Sequence, residues 1–177
     1  LLYHPGTSWH YSISNDVQAR LVEVISGQSF DAYLRQRIFD PLDMPDTGSS
    51  VPDKDLARFT SNYMMEGEAA PIAVDTPQKS TYVGDVKFFS GGGGLVSTTR
   101  DYLRFAQMLA NGGELDGVRL LSPTTIELMT LDHMPPGVTQ KIGAMARLPG
   151  FGYGLGFGTI RDQARAASSA PDGAYWW

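Results

Sequence analysis

Tyr11 lies at the mouth of a helix, behind a Pro-Gly turn and an aromatic residue, in Pro5-Gly6-Thr7-Ser8-Trp9-His10-Tyr11-Ser12. A phenol held rigidly at such a place can accept a proton and return it. A phenol left to itself is a poor base: its pKa of about 10 leaves roughly one molecule in a thousand ionised at pH 7. The commoner fate of a tyrosine is to anchor a turn, half-buried, with its hydroxyl on a carbonyl. On these residues alone both readings stand.

The other candidates carry weaker chemistry. Thr76-Pro77-Gln78-Lys79 has the spacing of a hydroxyl nucleophile and its lysine, but Ser80-Thr81-Tyr82-Val83-Gly84 after it favours extended structure or turn. No Ser-x-x-Lys occurs, and Ser50 to Lys54 is one residue too long. Gly91 to Gly94 has the composition of a phosphate cradle, yet it lacks a following Lys-Ser/Thr and does not open a helix directly. It reads as a tight turn into a buried strand. His4, His10 and His133 have no metal-ligand spacing, so no metal and no cofactor is expected. The absence of cysteine removes disulfides, thiolate metal sites and a thiol nucleophile together.

The elements that must position these groups are mostly helical. Ser14 or Asn15 caps a helix with Val17, Leu21, Val22 and Ile25 on one face, and Gly27 supplies a left-handed end. Ser29 caps a second helix, with Phe30, Tyr33, Leu34 and Ile38 in phase, which stops before Pro41. From Asp46 to about Phe89 no period persists, and 46–89 reads as a long loop. Thr98 and Asp101 form a capping box for a helix presenting Tyr102, Phe105, Ala106, Leu109 and Ala110, stopped by Asn111-Gly112-Gly113. Gly113 to Leu121 reads as a short turn and strand. Ser122-Pro123 opens a fourth helix to about Leu131. After a connector from Pro135 to Gly150, Tyr153, Leu155 and Phe157 alternate with glycines through Ile160 as one strand.

With 177 residues, 42% of them apolar, the chain is long enough for one domain with its own core. The formal charge of −5, with Lys and Arg scattered, argues against nucleic acid as a partner. No run approaches the ~18 apolar residues of a membrane span, and no charged-then-apolar leader stands at the start.

Taken in order, these words resemble the serine β-lactamase-like and penicillin-binding-protein-like hydrolases, particularly the esterase branch called family VIII. Pro-Gly-x-x-Trp-x-Tyr-Ser leads into a helix ending Ser-Gly-Gln-Ser-Phe. Ile38-Phe39-Asp40-Pro41-Leu42-Asp43-Met44-Pro45-Asp46-Thr47 is similar to the family's Ile-Phe-x-Pro-Leu-Gly-Met-x-Asp-Thr, with Asp43 at the usual glycine. Aspartate tolerates that geometry better than most residues. Gly91 to Leu95, Ser97-Thr98, Asn111-Gly112-Gly113, Gly117 to Pro123 and Phe151 to Phe157 continue the pattern.

The resemblance implies an α+β fold, a helical region packed on an antiparallel sheet, with 1–177 forming a single partial domain and 46–89 at the rim of its cleft. It implies a parent serine hydrolase that forms an acyl-enzyme on small carboxylic esters, or on β-lactams, with Tyr11 as the family tyrosine and no cofactor. In that chemistry a lysine ammonium favours the phenolate, and the pair takes the proton of an attacking serine. Ile13 stands where related β-lactamases carry the asparagine of Tyr-x-Asn, which tilts the reading toward esters. The family's Ser-x-x-Lys is absent, and Trp177 stands where a Trp-Gly-Gly would begin, a place to line the substrate pocket. The chain is therefore expected to be an internal piece of a longer polypeptide, inactive alone, whose partners are the rest of that polypeptide and the substrate. A non-catalytic binding module on the same scaffold is the alternative.

Overall fold

The computed structural model describes residues 2–67, 70–138, 140 and 149–176. Its contacts gather into two compact units, Ile13–Ala106 and Leu1–Ser12 with Gln107–Trp177.

In the unit Ile13–Ala106, α1 (Ser14–Ser26) ends where Gly27 turns left-handed at φ 71° and its N–H reaches the Glu23 carbonyl at 2.9 Å. At the other end the capping residue is Ile13, which offers no side-chain bond, so the expected Ser14 or Asn15 cap is not the one used. The apolar stripe is present but open: Val17 and Leu21 are half exposed, Ile25 largely exposed, and the helix buries Ala19. α2 (Phe30–Leu34) starts at Ser29, whose hydroxyl accepts the Ala32 N–H at 3.3 Å. It continues as a π-helical stretch, Arg35–Phe39, in which the Asp40 N–H bonds five residues back to Arg35. Pro41 ends it, and Asp43 takes the left-handed conformation at φ 51° that its position demands. Phe39, Leu42 and Met44 go into the core.

The stretch 46–89 holds more structure than its missing period implied. A 3₁₀ helix covers Asp53–Arg58, and an antiparallel hairpin joins β1 (Asn62–Met64) to β2 (Ile72–Asp75). These elements are short and mostly exposed, so no buried face imposes a period on the sequence. Thr76 to Lys79 forms a turn closed by a Lys79 N–H to Thr76 carbonyl bond of 2.9 Å, not a helix start.

α3 (Thr99–Ala110) begins with the Asp101 N–H on the Thr98 hydroxyl at 3.2 Å. The reciprocal half of the capping box is missing, because the fully buried Asp101 carboxylate accepts instead from the Asp46 N–H at 2.8 Å and the Thr47 hydroxyl at 3.0 Å. Tyr102, expected on the packed face, is exposed.

In the second unit the end of α3 buries Met108 and Leu109 and stops at Gly112 and Gly113, both with positive φ. β3 (Glu114–Leu115) and β4 (Val118–Arg119) form a hairpin around Asp116-Gly117, with φ 50° and 82° as a type I′ turn requires. α4 (Pro123–Thr130) has the expected Ser122 cap, its hydroxyl accepting the Thr125 N–H at 3.1 Å.

The single strand read through Tyr153 to Ile160 is a correction: β5 (Phe151–Tyr153) and β6 (Gly158–Ile160) are two antiparallel strands. The chain reverses between them, closed by the Gly154 N–H on the Phe157 carbonyl at 2.7 Å and by Gly156 at φ 91°. Gly156 serves the turn itself, while Gly152, Gly154 and Gly158 approach neighbouring atoms so closely that a Cβ would clash. α5 (Gln163–Ala166), capped by Asp162, leads on to β7 (Tyr175–Trp176), which pairs with β6. Among the described residues no helix is long and apolar enough to cross a membrane.

Candidate active site

Tyr11 is placed by a turn whose conformation the sequence dictates. Thr7 donates both its N–H (3.1 Å) and its hydroxyl (2.7 Å) to the His4 carbonyl, with Pro5 and Gly6 between them. Gly6 sits at φ 82° with open space around it, so its glycine serves conformation and not clearance: proline then left-handed glycine is a type II turn. The turn sends Trp9 toward β5, where its ring meets Tyr153 edge-on at 5.3 Å. Tyr11 follows on the other side of Trp9, 6.3 Å between centroids, and is half exposed at 50%.

Tyr153 is itself firmly held. Its N–H donates to Asp132 at 3.0 Å and its carbonyl accepts from the His133 N–H at 2.9 Å. Asp132 also takes the Met134 N–H at 3.1 Å and pairs with Arg161 at 2.9 Å, tying the segment after α4 to the sheet. The flanking glycines are required for clearance: a Cβ on Gly152 would lie 2.6 Å from the Asp132 carboxyl, and one on Gly154 2.1 Å from the Met129 carbonyl. Burial, and secondly the nearby Tyr11 phenol, push the Tyr153 phenol above its ordinary 10.0. The result is a Tyr11 phenol half open to solvent beside Trp9, whose ring packs on the hydrogen-bonded Tyr153, a setting in which proton exchange with a substrate is possible.

Tyr153 was legible in the sequence as a strand residue, but nothing marked it as a neighbour of Tyr11. Trp9 is half-buried and bridges the two tyrosines. Ile13 points an apolar, largely exposed side chain from the position of the family's asparagine. His10 is exposed, and His133 uses Nε2 on the Leu128 carbonyl at 2.7 Å. Trp177, the expected substrate-pocket residue, lies outside the described residues. Its neighbour Trp176 packs edge-on against Phe151 at 5.1 Å and covers Gly158, where a Cβ would come within 2.7 Å of the indole.

The glycine run is explained within the other unit. The Asp16 carboxylate accepts from the Ser90 hydroxyl at 2.6 Å and from the N–H groups of Gly91 (3.0 Å) and Gly92 (3.3 Å). An internal anion thus occupies the donors that a phosphate would use. The Ser90 hydroxyl bond, opposed by partial burial and helped by the two amides, holds the Asp16 carboxyl below its ordinary 3.8. Gly91 lies so close to α1 that a Cβ would be 2.2 Å from the Asn15 carbonyl. Among the described residues no group of three metal-ligating side chains occurs.

Protein Rv1367c of Mycobacterium tuberculosis is 32% identical over 169 residues, covering 94% of this chain and 41% of that protein. Esterase EstB of Burkholderia gladioli is 27% identical over 195 residues, covering 100% of this chain and 45% of the enzyme. The solved structure of EstCE1, a hydrolase with promiscuous acyltransferase activity, matches with a TM-score of 0.76 at 25% identity, over 98% of this chain and 46% of that one. The chain spans less than half the length of each. The fold is the β-lactamase/transpeptidase-like one, and the relatives make this a family of serine hydrolases and acyl transferases. The Beta-lactamase family model matches residues 1–177, and the chain belongs to that family.

Proposed function

We propose that these residues belong to a serine hydrolase that cleaves small carboxylic esters through an acyl-enzyme, with Tyr11 as the group that takes the proton of the attacking serine. The observation that carries this reading is an accessible phenol beside an aromatic support: Tyr11 is half exposed next to Trp9, whose ring meets Tyr153 edge-on. The named esterase and hydrolase relatives support the choice of ester as substrate. The apolar Ile13, in place of an amide, supports ester over lactam.

In the proposed reaction the serine Oγ forms a bond to the acyl carbon while its proton passes to Tyr11. The alkoxide leaves with that proton, and water then releases the acid and regenerates the serine. The serine and its lysine are not among these 177 residues, since no Ser-x-x-Lys occurs. This chain alone is accordingly expected to turn over nothing.

The test is stopped-flow acylation of the full polypeptide by p-nitrophenyl butyrate. Tyr11→Phe should slow the burst by about 10²–10⁴-fold, the usual worth of a positioned acid–base group. An unchanged burst would remove Tyr11 from the mechanism. A full polypeptide that forms no acyl-enzyme at all would favour a non-catalytic module, the reading to which the missing Ser-x-x-Lys also lends weight.

A further inference from the structure

We propose that a cavity in the Ile13–Ala106 unit binds the carboxylate of a short-chain organic acid on Arg35. The cavity measures about 160 Å³ and is lined by both charged and apolar residues. Three cations, Arg35, Lys54 and Arg58, and two carboxylates, Asp46 and Asp55, are among them.

These charges are unequally engaged. Arg58 grips Asp46 with two bonds, of 3.0 and 2.7 Å, and donates a third to Asp55 at 3.2 Å. Lys54 stands 3.8 Å from Asp55. Arg35 has no carboxylate partner among the described residues. The one side-chain hydrogen bond it makes among the described residues runs from Nη2 to the Thr47 carbonyl, at a weak 3.5 Å, and the residue is otherwise exposed. A guanidinium carries five donors in a fixed fork that matches a carboxylate, so most of its capacity is unused.

Two local features seat that side chain. Gly48 does not adopt a left-handed conformation, so its backbone imposes no need for glycine; a Cβ there would meet Arg35 Nη2 at 3.0 Å and otherwise only the Ser50 carbonyl at 3.9 Å. Glycine at this position makes room for the guanidinium. Arg35 also opens the π-helical stretch Arg35–Phe39, a departure from α-helix that recurs at functional sites.

Size and polarity select the ligand. A cavity of this volume is close to one that takes benzene, about 150 Å³, which suits an occupant of about six heavy atoms. Val51, Pro52, Phe59 and Val96 also line the cavity and offer apolar surface to a short hydrocarbon tail. Asp46 and Asp55 repel polyanions, which leaves a monocarboxylate such as butyrate. None of this depends on the role of Tyr11.

The experiment is a titration of the isotopically labelled full polypeptide with sodium butyrate, followed by NMR at constant ionic strength against sodium chloride and against n-butanol. The expected result is a saturable shift of the Arg35 Nε–H and of the Thr47 and Gly48 amides, with butyrate alone. Arg35→Gln should weaken binding about tenfold or more, the worth of a charge-assisted bidentate bond. Gly48→Ala, which moves the guanidinium without removing its charge, should weaken it less. Shifts that chloride reproduces, or that persist at full affinity in Arg35→Gln with its amide spectrum otherwise intact, would overturn the proposal.

Discussion

Asp101 and Tyr11 show two opposite treatments of a polar side chain. The Asp101 carboxylate is wholly buried; its Oδ2 joins the Asp46 N–H to the Thr47 hydroxyl, and that hydroxyl meets Ser97 at 2.8 Å. Its Oδ1 is buried with no hydrogen-bond partner among the described residues. Tyr11 has half its surface in solvent and gains its order from the ring of Trp9. The first arrangement closes a loop onto a helix, and its carboxylate is out of reach of any reacting molecule. The second is ordered yet accessible, which is the condition for exchanging a proton with substrate. Position in the fold, more than residue type, separates the residue that holds structure from the one proposed to do chemistry.

That contrast is tested most severely by deletion. Asp101→Ala leaves the Asp46 N–H without its acceptor and takes one of two partners from Thr47, so a loss of about 3 kcal/mol in urea unfolding is expected. Tyr11→Phe should stay within about 0.5 kcal/mol of the parent in the same measurement, as exposed substitutions do. Equal losses from the two would erase the distinction.

Gly154→Ala probes the support under Tyr11. Its new Cβ would lie 2.1 Å from the Met129 carbonyl and 2.9 Å from that of Leu131, backbone atoms that cannot swing aside. A loss of about 1–3 kcal/mol is expected from such overpacking. Thermal unfolding within error of the parent would show that the β5 end is looser than described.

Asp16 lies between the two extremes: it makes bonds of the same kind as Asp101 but is only partly buried. Because its folded carboxyl sits below the ordinary 3.8, its contribution is fully present above that value and is lost as pH falls through the lower, folded value. Asp16→Asn should therefore be less stable than the parent at pH 7, and the gap should close as pH falls below 3.8 through the lowered folded value. A gap constant across that range would mean that the carboxylate charge is not what holds Ser90 to Gly92.

The sequence made some of this legible for physical reasons. Ser29, Ser122, Pro123, Gly27 and the Asn111-Gly112-Gly113 stop act through the backbone of their own turn, so local sequence suffices to read them. Asp43 is of the same kind, a left-handed position foreseen from the glycine that usually fills it. What sequence hid was settled at long range. The partners of Asp101 lie 54 and 55 residues away, and those of Asp16 74 to 76 residues away, so neither carboxylate announced its role. The turn between β5 and β6 was missed because alternation with glycine fits both a strand and a reversal. Tyr11 was legible through an ordered set of short words; Tyr153, which completes its surroundings, was not, because only folding brings residue 153 to residue 9.

The smallest effect bears on that last pair. Burial is the larger cause of the raised Tyr153 phenol and the Tyr11 phenol the smaller. Removing the Tyr11 hydroxyl in Tyr11→Phe should therefore lower the Tyr153 midpoint without returning it to 10.0, since the desolvation by its surroundings persists. Spectroscopic titration with the Tyr153 Cζ resonance assigned reads this directly. Trp9→Leu, which removes the ring between the two tyrosines, should instead expose Tyr153 and lower its midpoint by the larger share. A Tyr153 midpoint that responds to Trp9→Leu but not to Tyr11→Phe would mean that the two phenols share a neighbour without sensing each other. Tyr11 would then owe its placement to the turn at Pro5-Gly6 and to Trp9 alone.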